Sequence, residues 1–238
     1  MTKSKDKGAN MFFGVINRIR KRRFAYLTIS LLLLIALYPY VQGDTWGQVF
    51  LSLLATIVMI TSVIAVGDKR RHTIIALVFA APWFLVLLSK FPVLPVDTKL
   101  LVREEIVFAF LLFAYTTYRI FIHIINSREV TTEILFASIS VYMLIGLSWA
   151  TIYIMINSYH PGSFVDRDGT FIHTGADFLF FSYITLTTVG YGNIEAISEQ
   201  ARSFASIEAL CGQLYLTIMV ARLVGLHISK PKTKESII

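Results

Sequence analysis

Apolar runs of 17 to 26 residues recur along the chain, separated by short polar and charged segments. They occupy 24–41, 46–66, 73–89, 106–126, 134–157 and about 203–228. Arg119 and His123 interrupt the fourth, and the sixth carries Glu208 and Arg222. At about 1.5 Å of rise per residue, each run predicts a helix about 25 Å long or more, in the range that crosses a hydrocarbon core roughly 30 Å thick. A seventh stretch, 178–187, has only ten residues and leads straight into a glycine-rich turn. It is too short to span, and its length predicts a re-entrant half-helix. The expected fold class is an all-α membrane protein with six transmembrane helices plus one re-entrant helix and its loop.

Composition agrees with that pattern. The 238 residues are 55% hydrophobic and only 16% charged, too little charge to cover a soluble domain of this length. The first run follows a basic segment, as a secretory leader would, but Tyr38-Pro39-Tyr40-Val41 offers no small-residue cleavage site. It is read as a retained helix, joined to the second by a tight break at Gly43-Asp44. The single cysteine, Cys211, closes no intrachain disulfide and reads as a packing residue.

The net charge of +7 changes the picture through its distribution. Cytoplasmic loops are enriched in Lys and Arg. With the N-terminus inside, fifteen cations fall on the cytoplasmic side, from Lys3 in the arm to Lys234 in the tail. Five remain outside: Lys90, Lys99, Arg103, Arg167 and Arg202. Both termini are therefore expected in the cytoplasm, and the glycine-rich turn at the outer face. Cations scattered over short loops make no nucleic-acid footprint, so no nucleic-acid partner is expected. The basic arm 1–23 could meet anionic lipid, besides fixing topology.

The turn itself reads Thr187-Thr188-Val189-Gly190-Tyr191-Gly192. This string is the known signature of a potassium-selective filter, in which backbone carbonyls replace the ion's water shell. Carbonyls of Thr188, Val189, Gly190 and Tyr191, with the Thr188 hydroxyl, would bind K+. Gly190 and Gly192 lack a Cβ and can take the φ > 0 conformations that such a loop needs. One chain supplies one quarter of each oxygen ring, which predicts a homotetramer. Asp177 is the expected N-cap of the half-helix, whose carbonyl end would favour a cation.

On these residues, 134–228 resembles the pore module of the potassium-channel superfamily, in the manner of a six-transmembrane bacterial-type subunit with one pore loop. The resemblance implies an outer helix 134–157, a turret 158–177, a pore helix 178–187, a filter 188–192 and an inner helix from about 203 to 228. Ahead of these stand the four-helix unit 24–126 and a linker 127–133, and a tail 229–238 follows. The resemblance places Phe180 and Phe181 where aromatic residues brace the filter, with Thr185 and Thr187 as further pore-helix support. It also marks two departures: Asn193 stands where Asp is usual after Gly-Tyr-Gly, and Ile184 where some relatives carry Glu. Gly212, twenty residues after Gly192, matches the inner-helix hinge, although close helix packing would equally call for glycine. K+ is the implied cargo, no organic cofactor or enzymatic activity is expected, and a plasma (bacterial inner) membrane is the implied location.

Below Gly212, Leu216, Val220, Val224 and Ile228 recur every four residues on one face. Such a stripe is either a packing face or, in four-fold array, a hydrophobic constriction that gates by dewetting. Gln213 above it is expected to face the cavity. Glu208, the one acid inside a span, is either a direct participant in conduction or, the preferred reading, a hydrogen-bonding group behind the pore helix, with the hydroxyls of Tyr183 or Thr185 as expected partners. The loop holding Asp166, Asp168, His160 and His173 shows no metal-ligand spacing and reads as solvated, with a turn at Asp168-Gly169. A voltage sensor needs repeated cations on the fourth helix, yet Ile106, Ala109, Leu112 and Tyr115 carry none. No steep voltage sensitivity and no cytoplasmic ligand domain are expected. The alternatives to a passive K+ channel are a coupled K+ transporter, which would normally repeat the pore string, and a non-conducting membrane scaffold.

Overall fold

The computed structural model describes residues 22–41, 45–67, 69–89, 98–172 and 174–228. The basic arm before Arg22, the Gly43-Asp44 break, His173 and the tail 229–238 lie outside the described residues. The chain is largely helical: α1 (Arg23–Leu37), α2 (Thr45–Val66), α3 (Arg70–Ser89), α4 (Thr98–Asn126), α5 (Thr132–Tyr159), α6 (Gly175–Leu186) and α7 (Glu199–Ile228). Among the described residues, Glu105–Asn126, Thr132–Tyr159 and Glu199–Ile228 are long and apolar enough to cross a membrane. Arg23–Leu37, Phe50–Val66 and Gly175–Leu186 are shorter apolar helices.

Several ends differ from the expected ones, for local reasons. The first run ends as an α-helix at Leu37 and continues as a 3₁₀ turn, Tyr38–Val41. Pro39 cannot donate to an α-helical ladder and restricts the residue before it. The 178–187 helix begins earlier, at Gly175, and its N-cap is Thr174, not Asp177. Thr174 accepts from Asp177 N at 3.3 Å, while its hydroxyl donates to Asp177 Oδ2 at 2.5 Å. Asp177, in the first turn, thus holds the capping hydroxyl in place. Ser198 accepts from Ala201 N at 3.2 Å and starts α7 at Glu199.

The loop after α5 is not wholly irregular. Phe164–Asp166 (β1) and Ile194–Ala196 (β2) form a two-stranded antiparallel ribbon, with Phe164 opposite Ala196 and Asp166 opposite Ile194. This is a small β element in a fold expected to be all-α. Phe164 anchors it in an aromatic cluster, meeting Tyr153, Phe178 and Phe181 edge to face at 5.3–5.4 Å between ring centroids, while Tyr153 meets Phe181 at 5.1 Å. Edge-to-face contact is the favoured aromatic geometry. The ribbon ties the segments before and after the glycine-rich loop to α5 and α6. A larger apolar core joins α1–α4 to α5.

A candidate site in the glycine-rich loop

The site begins at the last turn of α6. Four terminal carbonyls of any helix lack partners within it. Here all four are occupied. Tyr183 O accepts from Thr187 N at 3.0 Å, Thr185 O from Thr188 N at 2.9 Å, and Leu186 O from the Tyr142 hydroxyl at 3.2 Å. Ile184 O accepts twice, from Val189 N at 2.8 Å and Gly190 N at 3.2 Å.

That double bond decides which way the loop faces. In a planar trans peptide the C=O points opposite to the N–H. The amides of Val189 and Gly190 face Ile184, so the carbonyls of Thr188 and Val189 face away from α6. Backbone angles agree: φ is +58° at Thr188, +53° at Gly190 and +72° at Gly192, with negative values between. Alternating handedness turns successive peptides the same way. Thr188 is the one non-glycine residue at positive φ among the described residues. A β-branched side chain in that region is strained and needs surroundings that hold it. Gln213 supplies a hold, its Nε2 donating to Thr188 Oγ1 at 3.1 Å.

Side chains around the loop divide into two sets. Phe180 stacks on Tyr191, rings nearly parallel at 6.4 Å, while Phe181 turns inward to the aromatic cluster. Val189 is 52% and Tyr191 74% exposed. Behind α6, Tyr183 donates to Met143 O at 2.7 Å. Its ring lies so close to Gly146 that a Cβ there would sit 2.5 Å from it. Gly212 meets the end of α6 just as closely: a Cβ would lie 2.1 Å from Leu186 O. This gives Gly212 a packing reason, and α7 runs unbroken through it.

Glu208 is fully buried, with partners other than the expected ones. Tyr153 on α5 donates to Oε2 and Ser182 on α6 donates to Oε1 at 2.6 Å. Tyr183 is committed to Met143 instead. Neither Tyr153 nor Ser182 was visible as a partner in the sequence, because they lie 55 and 26 residues from Glu208. Ile184 is buried and apolar. Asn193 O accepts from Arg167 N at 3.1 Å. Asp166 Oδ1 accepts from Asp168 N and Thr170 N, which shapes the turn at Gly169. No group of three His, Cys, Asp or Glu among the described residues could hold a metal ion.

Further along α7, Leu216, Val220, Val224 and Ile228 are all exposed. Arg222 lies partly buried and donates to Ile124 O, Ile125 O and Ser127 O at the end of α4. A cation at a helix C-terminus is favoured by the helix dipole.

The site is thus a short apolar helix packed against two long ones and ending in a loop whose Thr188 and Val189 carbonyls turn to one side. Residues 130–227 match the family model described as "Ion channel". Over 115 residues the chain is 30% identical to the inward rectifier potassium channel Kirbac3.1 of Paramagnetospirillum magnetotacticum. That alignment covers 48% of this chain and 32% of the relative, so the chain spans about a third of the relative's length. No solved structure matches the chain.

Proposed function

We propose that this chain is one subunit of a homotetrameric, potassium-selective channel that conducts passively across the bacterial plasma membrane. The observation that carries this reading is the pair of bonds from Val189 and Gly190 to Ile184 O, which leaves the Thr188 and Val189 carbonyls facing away from α6. A permeating ion needs several oxygens at once and no net charge that would trap it. One loop offers one side of such a cage, and four copies about an axis close it. The similarity to a relative named as a potassium channel supports K+ as the cargo.

In this reading α6 is the pore helix, Thr188–Gly192 the filter and α7 the inner helix. The carbonyls of Tyr183, Ile184, Thr185 and Leu186 are already bonded, so the pore helix offers the ion its aligned dipole and not free oxygens. Leu216, Val220, Val224 and Ile228 form the hydrophobic constriction, and Gly212 is where α7 could bend. Both termini are cytoplasmic, six spans carry the chain across the bilayer, and the basic arm meets anionic lipid.

The test is purified full chain in liposomes under K+ and Na+ gradients with an electrical readout. K+-selective, barium-blocked current is the expected result. Proton- or sodium-coupled uptake would point to a transporter. Silence across lipid composition, pH and voltage would point to a scaffold. Either would overturn the reading.

A further inference from the structure

The carboxyl of Glu208 joins three helices at one point. It stands on α7, takes the Tyr153 hydroxyl from α5 on Oε2, and takes the Ser182 hydroxyl from α6 on Oε1 at 2.6 Å. Ser182 also reaches Gly146 O on α5 at 2.8 Å. Two residues beyond Ser182 lies Ile184, whose carbonyl holds the amides of Val189 and Gly190. Glu208 and Gly212 are four residues apart and share the side of α7 that faces α6. One sets the hydrogen bond between the two helices, and the other sets their distance. Tyr153 is fixed in turn by the aromatic cluster, 5.1 Å from Phe181 and 5.4 Å from Phe164.

We infer that Glu208 is a positioning residue for the filter, acting by hydrogen bonding through Ser182 and Tyr153 and not by placing a charge on the ion path. This rests on the channel reading for its consequence in current, though not for the strut itself. Glu208 is 0% exposed, whereas Val189 and Tyr191 of the loop are open by half or more. A carboxyl sealed behind the pore helix faces no ion. A buried acceptor left without its donors costs more than an exposed one, so removing either end of the strut weakens the seat of α6. The contacts also say which substitution is harmless. Tyr153 and Ser182 bring two hydroxyl protons to three oxygen–oxygen contacts. Glu208→Gln keeps an acceptor for Tyr153, and its amide can donate to Ser182, which frees the Ser182 proton for Gly146 O.

The experiment compares parent, E208Q, E208L, S182A and Y153F as full chains in lipid nanodiscs containing K+. Hydrogen exchange is read over 178–192, and current decay and unitary conductance are read in bilayers. E208L is expected to speed exchange across 178–192 by about tenfold, and S182A and Y153F by about threefold. Current in these three decays faster, while E208Q stays within about twofold of the parent in every readout. If E208L does not assemble, S182A and Y153F carry the test. Unchanged exchange in all three would overturn the strut. So would E208Q damage equal to that of E208L, or an E208Q that lowers unitary conductance with exchange unchanged, which would mark a charge on the path. Exchange needs no current, so a parent that conducts nothing defeats the channel reading and leaves the strut still decided.

Discussion

The helices α5, α6 and α7 and the helices α1–α4 are built from similar residues but held together differently. Around the glycine-rich loop, hydroxyls reach across to backbone carbonyls of neighbouring helices: Tyr183 to Met143, Tyr142 to Leu186, Tyr215 to Ser138 and Ser182 to Gly146. Each carbonyl that already serves its own helix has a second lone pair, so such a bond adds a tie without breaking the ladder. In α1–α4, hydroxyls mostly bond within their own helix or to one another, as in Ser30 with Thr61, and Thr28, which reaches Phe136 O on α5, is the exception. Ser62 and Thr116 are fully buried there, and their hydroxyls find no hydrogen-bond partner among the described residues. Apolar packing tolerates small slips, whereas a hydrogen bond to a chosen carbonyl sets one register. The helices around the glycine-rich loop use the second method.

The largest effect should come from the loop. Gly190→Ala places a side chain at φ +53°, at about 1–2 kcal/mol of strain per subunit. Among the described residues nothing lies within 4 Å of the new Cβ, so the damage is to the backbone and not a clash. Loss of K+ over Na+ selectivity, or of current altogether, is expected in reversal-potential measurements. Parent-like selectivity would break the assignment of the loop.

Next comes Gly212→Ala, whose methyl meets a backbone oxygen at 2.1 Å that cannot rotate aside. Overpacking of about 1–3 kcal/mol is expected, read as a lower melting temperature and loss of current. A melting temperature and current unchanged in Gly212→Ala would remove the contact between α7 and α6 from the comparison.

Tyr142→Phe removes the hydroxyl on Leu186 O and should cost about 1 kcal/mol in thermal unfolding. The opposite half predicts the opposite sign. Thr116→Val replaces a buried, unpartnered hydroxyl by a methyl of similar shape and should leave stability unchanged or raise it by up to about 1 kcal/mol. A loss as large as that of Tyr142→Phe would show that α1–α4 use hydroxyls as α5–α7 do. The smallest effect expected is that of voltage. Ala109 and Leu112 of α4 are buried and uncharged, so gating charge measured by patch clamp should be well below three or four per subunit.

Much of this was legible along the chain because it is local. Apolar length marks a helix whatever it packs against, and the difference between ten residues and twenty separates α6 from α5 and α7. A six-residue string names the loop, and two glycines announce where φ turns positive. Capping was legible too, but misplaced by three residues, since Thr174 and Asp177 can each start a helix and only their mutual bond says which does.

By itself the sequence determined that the protein is apolar and helical, that one short helix ends in Thr-Val-Gly-Tyr-Gly, and that a single acid lies inside the last apolar run. Only the tertiary structure decided that Ile184 O gathers the Val189 and Gly190 amides and so turns the carbonyls outward. It also decided that Thr188 stands at positive φ and that Glu208 answers to Tyr153 and Ser182. The reason is physical. Length, hydropathy and backbone freedom belong to each residue and its near neighbours, while a hydrogen bond belongs to a pair, and these pairs are brought together only when α5, α6 and α7 pack.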